Sequence, residues 1–586
     1  MTVTTDTLEA EIARRRTFAI ISHPDAGKTT MTEKMLLYGG AIHMAGAVRA
    51  KKSGRHATSD WMSIEKERGI SVSTSVMQFP YDDYLYNLLD TPGHEDFSED
   101  TYRTLTAADC AIMLIDAAKG VEAQTRKLFE VCRLRAMPIF TFINKMDREG
   151  REALDLMSEI EDLLGIHCVA QNWPIGMGAA FRGVYERDTD QIYLFERGTD
   201  HGSRKTIAHA TGKNDDALVR LLGESGSRAF KEDLELLDMA GESFDRQRFL
   251  DGEVTPVFFG SALTNFGVEP FLRAFGKMAP QPGPRPTNLG QREPTEQKFA
   301  GFIFKIQANM DKKHRDRIAF LRVCSGKFER GMTVKLQRNG KDIKLNSAIT
   351  FFAQERNVAE EGYPGDIIGL YDTGNFAIAD TLTEGEALEF EGIPRFSPEV
   401  FSRILAPNPM KRKRLDKGLQ QLSDEGTVQV LYPPDGYVSP EPVLAAVGQL
   451  QFEVVQQRMN EEYDVEIRME QLPYSVARWL DMPAGYDYSK FRHPGISDVF
   501  RDHKDRLLVV FRDEWTLQYA VRNNPEVTFR GRRRRDRKRK LFVVSGSFFE
   551  LEASTNGNIA NSAENHQAVT AADKSNHEQE PRTTRH

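Results

Sequence analysis

Short apolar runs followed by polar, glycine-containing segments recur through the first 280 residues. The runs lie at residues 17–21, 84–89, 138–143 and 256–259. Each has the length of a strand, and uninterrupted apolar runs are typical of strands buried on both faces of a parallel sheet. Residues 30–37, after the first run, have the pattern of a helix. The hydrophobic pattern therefore predicts a doubly wound α/β sheet within residues 8–280.

The stretch between the third and fourth runs is longer than one helix and one strand require. It contains a strand-like segment at 191–195 and a helix-like segment at 215–224. We interpret this stretch as a subdomain inserted at residues 160–250, with a long loop as the alternative. The proline-rich segment 280–286 then predicts the end of the domain, because proline stiffens the chain and removes hydrogen-bond donors.

Beyond residue 290 the hydrophobic pattern becomes one of short alternating runs separated by glycines. Such runs occupy residues 299–306, 317–323 and 333–336. Alternation with a period of two is typical of strands with one buried face. The pattern predicts a β-barrel over residues 290–390.

The periodicity changes again after residue 390. The expected elements, in order, are a helix at 411–422, strands at 427–431 and 443–447, a helix at 449–459 and a strand at 465–469. This alternation of helices and strands is typical of a split βαβ arrangement. We therefore expect a ferredoxin-like α+β domain over residues 392–529.

The last segment, residues 530–586, differs in composition from everything before it. Residues 532–535 and 537–540 are all basic, residues 541–551 are largely apolar, and the remainder is polar. We expect this tail to be disordered, and either RNA contact or an accessory segment without a set role fits its charge. The basic residues 411–414 fit either ribosomal RNA contact or a solvated helix face, and residues 51, 52 and 55 fit either ribosome contact or mere solubility.

Composition indicates a large soluble protein. The chain has 586 residues, of which 40% are hydrophobic and 28% charged, and its net charge of −8 does not favour nucleic-acid binding by the whole molecule. No apolar run is long enough to span a membrane, and residues 1–16 have no signal-peptide core, so we expect a cytoplasmic location. The four cysteines show no metal-type spacing and are expected to be reduced. Nothing in the sequence indicates an oligomer, so a monomer is expected.

The segment after the first run has the pattern of a phosphate-binding loop. In such a loop, backbone N–H groups and a lysine hold the phosphates while a hydroxyl holds Mg²⁺. Gly27, Lys28 and Thr29 keep these functions, whereas Ser22 replaces the usual first glycine. An unrelated turn before a helix is the alternative. The residues that we assign to phosphate binding are Ser22, His23, Pro24, Asp25, Ala26, Gly27, Lys28 and Thr29.

Asp90 follows the second run, at the end of a predicted strand where α/β sheets bind their ligands. Its carboxylate can hold Mg²⁺. Phosphoryl transfer also needs a group that orients the attacking water, and His94 is the catalytic candidate for that task. A solvated loop histidine is the alternative. The nucleotide-binding residues assigned in this segment are Asp90, Thr91, Pro92, Gly93 and His94.

The third and fourth runs are followed by residues that suit a guanine base. A carboxylate at Asp147 can accept hydrogen bonds from N1–H and N2–H₂ of guanine, which adenine cannot offer. Asn144 would connect this loop to the phosphate loop, and the aliphatic part of Lys145 would cover a face of the base. Each motif is uninformative alone, but their order predicts a GTP site. The assigned residues are Asn144, Lys145, Met146, Asp147, Ser261 and Ala262.

In these motifs the chain resembles the translational GTPases, and among them the bacterial class II release factors of the peptide chain release factor 3 family. Elongation factor G usually has glycine at the position of Ser22 and threonine at that of Ser71. The resemblance implies that the Ser71 hydroxyl coordinates Mg²⁺ when the γ-phosphate is present, so the implied metal ligands are Thr29, Ser71 and Asp90. The family-specific segments, within a resemblance covering residues 8–529, are 22–30, 65–71, 75–80, 90–103, 172–176 and 395–401.

The resemblance implies a ribosome-stimulated GTPase of translation termination, with GTP/GDP and Mg²⁺ as cofactors. It would meet the 70S ribosome, near the ribosomal RNA and proteins of the factor-binding site, and promote dissociation of class I release factors after peptide release. GTP hydrolysis would then free it. An elongation-factor-G-like translocase or ribosome-protection GTPase is the alternative, although residues 470–529 are too few for the further domains of such proteins. A P-loop kinase or a non-hydrolysing scaffold represents a different class, and a kinase would lack both the guanine reader and the barrel.

Overall fold

The computed structural model covers most of the chain. It describes residues 5–41, 73–195, 206–211, 216–240, 243–308, 317–352, 355–393, 395–405, 408–434, 441–483, 485–486, 490–495, 497–502, 505–530 and 549–550. Ser71, the basic residues 51, 52 and 55, and nearly all of the tail lie outside these ranges.

A mostly parallel sheet forms the centre of the first domain. The edge strand Ser75–Tyr81 is antiparallel to its neighbour, and the others are parallel. The four strands predicted from apolar runs are confirmed. Across the sheet the order is Ser75–Tyr81, Tyr84–Asp90, Arg15–Ser22, Cys110–Asp116, Ile139–Asn144, Val254–Phe259 and His167–Ala170.

Helices cover both faces of this sheet. Phe18 and Ile20 lie in one core while Ala19 and Ile21 lie in another, as expected for a strand whose successive side chains point to opposite, buried faces. The helices of this domain are Thr5–Ala13, Lys28–Tyr38, Ser98–Ala107, Ala123–Leu134, Ala153–Leu164, Arg246–Leu250 and Val268–Met278, with a short 3₁₀ helix at Glu95–Phe97.

The extra sequence between the third and fourth predicted strands folds into a small α+β unit. Its antiparallel sheet has the order Thr206–Thr211, Gln191–Phe195, Gly183–Glu186 and Asn172–Ile175. A 3₁₀ helix at Gly178–Ala180 and the helix Asp216–Ala240 complete it. Gly223, with φ of 72°, kinks that helix near its start.

Residues 285–383 form the β-rich module that the alternating pattern predicts. Its main sheet packs on a core that includes Phe299, Ile303 and Leu321, and it touches the first sheet where Phe352 pairs with Gln78. The short pairs are Arg285–Thr287 with Gly290–Arg292 and Phe328–Glu329 with Glu361–Gly362. The main order is Lys341–Lys344, Thr333–Leu336, Thr381–Thr383, Ala300–Ala308, Arg317–Ser325, Ile367–Tyr371 and Ala348–Phe352, with Glu355–Val358 beside the last.

The next region has the expected ferredoxin-like topology. Its sheet has the order Gln429–Leu431, Val443–Ala446, Val400–Leu405 and Arg468–Leu472, and every neighbouring pair is antiparallel. The helices are Arg412–Asp424 and Gln449–Tyr463, preceded by a 3₁₀ helix at Pro409–Lys411. The central strand Val400–Leu405 is absent from the predicted elements. We refer to residues 400–472 as the ferredoxin-like region.

Residues 476–530 form a second sheet, whereas the sequence pattern predicts a single module over 392–529. The order is Ser497–Arg501, Leu507–Phe511, Val476–Asp481 and Thr528–Arg530, with the helix Glu514–Asn523. Phe401 and Leu431 of the first sheet share a core with Trp479 and Leu508 of the second. The second sheet therefore covers the face that the two helices leave open. Arg395–Phe396 also pairs with Phe549–Glu550.

Two further predictions concern the whole chain. The four cysteines are free, and Cys110, Cys132 and Cys324 are buried. Burial raises the pKa of the Cys110 thiol well above its ordinary value. Among the described residues, no helix is both long enough and apolar enough to cross a membrane.

Candidate nucleotide-binding site

The predicted site residues that lie within the described ranges converge on one edge of the first sheet. The strands that end at Ser22, Asp90, Asp116 and Asn144 are parallel and adjacent, so their carboxyl ends meet there. The strand that ends at Phe259 pairs with the one ending at Asn144. Ligands of open α/β sheets bind at this edge.

Gly27 has the backbone conformation and the space that only glycine permits. Its φ is 100°, in the left-handed region, and it immediately precedes the helix Lys28–Tyr38. A Cβ atom added here would lie 2.3 Å from Nδ2 of Asn144. The loop before it is fixed by a 3.1 Å hydrogen bond from the backbone N–H of His23 to Oγ1 of Thr125. A loop that leads into a helix N-terminus has the geometry that anion binding requires, and phosphate binding here stays a prediction.

Ser22 fits the strand end without strain. It is buried, pairs in register with Leu114, and is not among the described residues with positive φ. Glycine's extra freedom is therefore not needed at this position. Its Oγ is buried and has no hydrogen-bond partner within the described ranges.

Lys28 and Asp90 form a buried ion pair. Nζ of Lys28 lies 2.6 Å from Oδ1 of Asp90, and the two side chains are 8% and 1% exposed. The second carboxylate oxygen, Oδ2, is buried and finds no partner in the part of the chain that the structure describes. A buried carboxylate oxygen of this kind is costly unless a cation or a donor satisfies it.

Asn144 holds two loops together. Its Nδ2 donates to the carbonyl oxygen of Ala26 at 2.8 Å, and its Oδ1 accepts from the backbone N–H of Ala262 at 2.9 Å. The side chain is buried, and both of its polar ends are used. Three segments far apart in sequence are thereby fixed relative to one another.

The two elements assigned to the guanine base are in contact. Oγ of Ser261 donates to Oδ1 of Asp147 at 2.6 Å. Met146 is fully buried, and its backbone N–H donates to the carbonyl oxygen of Gly260 at 3.1 Å. The carboxylate is thus held by its neighbour in an orientation that leaves its other oxygen for a ligand donor.

Asp116 contacts the candidate nucleotide site through Lys145, although none of the sequence motifs includes it. Its Oδ2 accepts a 2.7 Å hydrogen bond from Nζ of Lys145, whose φ of 69° is left-handed and which also donates to the carbonyl oxygen of Asp25. Burial alone would raise the pKa of Asp116, but the bonds from Lys145 and from the backbone N–H of Ala118 hold that pKa below its usual value. The sequence feature that indicates Asp116 is its position at the end of the apolar run Cys110–Asp116, as for Asp90 in its own strand.

His94 lies at the start of the 3₁₀ helix Glu95–Phe97, about one-third exposed. Its Nδ1 accepts a 3.3 Å hydrogen bond from the backbone N–H of Asp96. The preceding residues are fixed as well, since Oγ1 of Thr91 donates to the carbonyl oxygen of Ile20 at 2.7 Å. Gly93 faces Pro24 of the phosphate loop, where an added Cβ would lie 3.7 Å from the Pro24 backbone. His94 is therefore beside the phosphate loop.

Two of the three predicted metal ligands lie within the described ranges. Thr29 is half-buried in the first turn of its helix, and Asp90 has the unpartnered Oδ2 atom. Oxygen donors of this kind suit Mg²⁺. The described residues therefore fit the ion, whereas Ser71 lies outside them.

The basic cluster at 411–414 is engaged in local ion pairs. Nζ of Lys411 and Nη1 of Arg414 lie 3.1 and 2.8 Å from Oδ2 of Asp464, and Arg412 pairs with Asp416 at 3.0 Å. Part of the cluster's charge is neutralised within the protein. This favours the solvated-surface reading over RNA contact.

Three protein-family models match successive parts of the chain. Residues 13–281 match the elongation factor Tu GTP binding domain, and residues 298–385 match elongation factor G domain 2. Residues 390–521 match the C-terminal domain of class II release factor RF3.

Two relatives align with this chain over nearly their whole length, and one solved structure aligns with most of it. The peptide chain release factor 3 of Symbiobacterium thermophilum is 56% identical over 529 residues, covering 90% of this chain and 99% of the relative. That of Gloeobacter violaceus is 55% identical over 524 residues, covering 89% and 98%. A solved structure of a Thermus thermophilus protein has a TM-score of 0.62 at 20% identity, covering 84% of this chain and 72% of that one, and so shares the fold.

Proposed function

The chain belongs to the peptide chain release factor 3 family and is a guanine-nucleotide-dependent GTPase of translation termination, and from this premise we propose how its own residues do that work. The proposed activity is ribosome-stimulated hydrolysis of GTP to GDP and phosphate. The proposed consequence is departure of a class I release factor from the ribosome after peptide release. The translocase and ribosome-protection alternatives are not favoured, because the third family match is to a release factor.

The nucleotide would lie along the sheet edge with its phosphates at the Gly27 loop and its base at Asp147. Backbone N–H groups at the start of the helix Lys28–Tyr38 would hold phosphate oxygens. The Lys28 ammonium would exchange its contact with Asp90 for the β- and γ-phosphates. Asp147 would accept both donors of the guanine edge while Ser261 keeps it oriented.

The observation that carries this proposal is the double hydrogen bond of Asn144. Phosphate loop and base-reading loop must keep a fixed spacing if one nucleotide is to contact both. Asn144 sets that spacing through Ala26 on one side and Ala262 on the other. A structural turn or a kinase-type phosphate loop would not need this connection to a guanine reader.

Thr29, Ser71 and Asp90 would hold Mg²⁺. When bound, the ion neutralises charge on the β- and γ-phosphate oxygens. Asp90 is suited to this role by its buried, unpartnered Oδ2 atom.

His94 would orient the attacking water. In this structure its ring is fixed through Nδ1 by the backbone of Asp96, which leaves Nε2 for the water. The ring is partly exposed beside the phosphate loop, so a docked ribosome can press it into position. Slow turnover without ribosomes and fast turnover with them would follow.

The experiment compares GTP turnover of the wild-type chain and His94→Ala with and without 70S ribosomes. We expect the variant to keep its GDP affinity and to lose about 100-fold or more of the ribosome-stimulated rate, in keeping with loss of a group that acts on the reacting water. An undiminished stimulated rate would refute the role of His94. A labelled class I release factor on terminated ribosomes gives the second readout, since GTP and the wild-type chain should speed its departure.

A further inference from the structure

A carboxylate of the nucleotide domain caps a helix of the ferredoxin-like region. Asp96 lies in the 3₁₀ helix Glu95–Phe97, two residues after His94. Its Oδ2 accepts a 2.7 Å hydrogen bond from the backbone N–H of Leu450, in the first turn of the helix Gln449–Tyr463. The two residues are 354 positions apart in the sequence.

The helix Gln449–Tyr463 needs such a partner. The first N–H groups of any helix have no acceptor within the helix, and a side chain at the residue before it usually supplies one. Here that residue is Gly448, which has no side chain. Gln451 accepts from the backbone N–H groups of Val447 and Gly448, at 2.9 and 3.0 Å, both of which precede the helix. The negative charge of Asp96 also complements the positive end of the helix dipole.

Glycine is required at position 448 because a side chain there would collide with Asp96. A Cβ atom at this position would lie 2.1 Å from Cγ of Asp96 and 2.4 Å from its Oδ1. Its φ of −138° is ordinary for any residue, so the close approach of Asp96, and not backbone strain, requires glycine. Asp96 supplies the acceptor for the helix, and Gly448 leaves the room that Asp96 needs.

The same aspartate also holds His94. Its backbone N–H donates to Nδ1 of the ring at 3.3 Å. With Nδ1 as acceptor, the ring proton of neutral His94 is on Nε2. Asp96 therefore touches the candidate catalytic ring through its backbone and the ferredoxin-like region through its carboxylate.

We propose that Asp96 is a positioning residue that couples docking of the ferredoxin-like region to the orientation of the His94 ring. The inference rests on the proposed role of His94. When the helix Gln449–Tyr463 is docked, the Leu450 N–H fixes the Asp96 side chain and with it the 3₁₀ helix that carries the ring. When that helix moves away, His94 loses this support, and the rate of hydrolysis changes although no nucleotide contact has changed.

The first test uses the full chain with 70S ribosomes and measures kcat and KM for GTP. Asp96→Ala removes the cap, and Gly448→Ala pushes the helix off Asp96 from the other side. Both should lower kcat about tenfold while KM stays within about twofold, the pattern of a lost interaction that acts on the chemical step. Glu253→Ala is the control, because the exposed Glu253 forms an ion pair with Arg248 and lies outside the 3₁₀ helix that carries the ring. Its kcat should not change.

A conservative variant and a double variant distinguish the proposed coupling from a purely structural effect. Asp96→Asn keeps an oxygen that can accept from Leu450, so it should retain most of the rate. In the His94→Ala background, Asp96→Ala should cause no further loss, since Asp96 acts through that ring. GDP affinity and the unfolding midpoint of each variant report folding, and Gly448→Ala serves if Asp96→Ala does not fold.

The measured rates distinguish failure of the Asp96 coupling from failure of the proposed role of His94. If His94→Ala loses its stimulated rate but Asp96→Ala and Gly448→Ala do not, the coupling is overturned and the proposed function stands. Equal losses from Asp96→Ala with and without His94 also overturn the coupling. If His94→Ala keeps its full stimulated rate, the role of His94 and the coupling through it are both refuted, whereas the proposed ribosome-stimulated activity stands.

Discussion

Nζ of Lys28 lies 2.6 Å from Oδ1 of Asp90, and both side chains are buried at the edge of the sheet. The pair brings the residue assigned to phosphate and the residue assigned to the metal into direct contact. Each charge therefore has an opposite charge of the protein itself as its partner.

Lys28→Met is expected to destabilise the protein as well as weaken nucleotide binding. It leaves a buried carboxylate unpaired, which should lower the free energy of unfolding by about 3 kcal/mol. GDP affinity should fall at least about tenfold, because a charged contact to phosphate is lost. Urea unfolding and fluorescent-GDP titration measure the two effects. The control Lys127→Met removes an exposed pair with Glu95 and should cost less than about 1 kcal/mol.

Gly27→Ala should disrupt the link between the phosphate loop and Asn144. The new Cβ would meet Nδ2 of Asn144 at 2.3 Å and would occupy a left-handed backbone conformation. We expect a loss of about 1–3 kcal/mol in unfolding free energy, together with loss of GDP binding. Gly283→Ala, where an added Cβ meets no atom within 4 Å, is the comparison and should leave both quantities unchanged. Equal behaviour of the two variants would contradict the tight packing at Gly27.

Asp147→Asn should change which base is bound. The carboxylate accepts two donors from guanine, whereas an amide also offers a donor that suits the C2 carbonyl of xanthine. Affinity for GDP should fall and affinity for xanthosine diphosphate should rise, each by about tenfold or more, the discrimination expected for a bidentate pair. Competition titrations measure both. Ser261→Ala removes the 2.6 Å bond that orients Asp147 and should weaken GDP binding without favouring xanthine.

Lys305→Met should shift the acid stability of the protein. Nζ of Lys305, in the β-rich module, lies 3.2 Å from Oδ2 of Asp100 and also donates to Oγ of Ser73. Burial would raise the pKa of Asp100, but Lys305, Arg103 and two hydrogen bonds from Thr74 hold that pKa below its usual value. A carboxyl with a depressed folded pKa stabilises the protein above its unfolded pKa, about 3.9, and this stabilisation is lost as pH falls below that value.

Without Lys305 the pKa of Asp100 rises, so the variant should be less stable than the wild type at neutral pH, and this difference in unfolding free energy should shrink as pH falls below about 3.9. Unfolding free energies measured from neutral pH down to about pH 2.5 test this. Lys298→Met, which removes the contact of an exposed lysine of the same module to Glu386, is the control. Parallel pH profiles for Lys305→Met and the wild type would rule out the proposed electrostatic link.

The fold of the first domain could be predicted because its signals are local. The apolar runs that became Arg15–Ser22 and Tyr84–Asp90 needed only their own residues to be recognised as buried strands. The second sheet of residues 476–530 could not be predicted in this way. Its strands are short, and what makes them a sheet is the packing of Trp479 and Leu508 on Phe401 and Leu431.

The sequence by itself determined the chemistry of this protein: the order of the phosphate, metal and guanine motifs, and the strand ends on which they lie. Those features depend on residue type and spacing along a few consecutive positions. Only the tertiary structure decided the contacts between these motifs, namely Asn144 with Ala26 and Ala262, Lys145 with Asp116, and Asp96 with Leu450. Most of these partners are more than a hundred positions apart, so whether they meet depends on how whole sheets and helices pack, which no local pattern encodes.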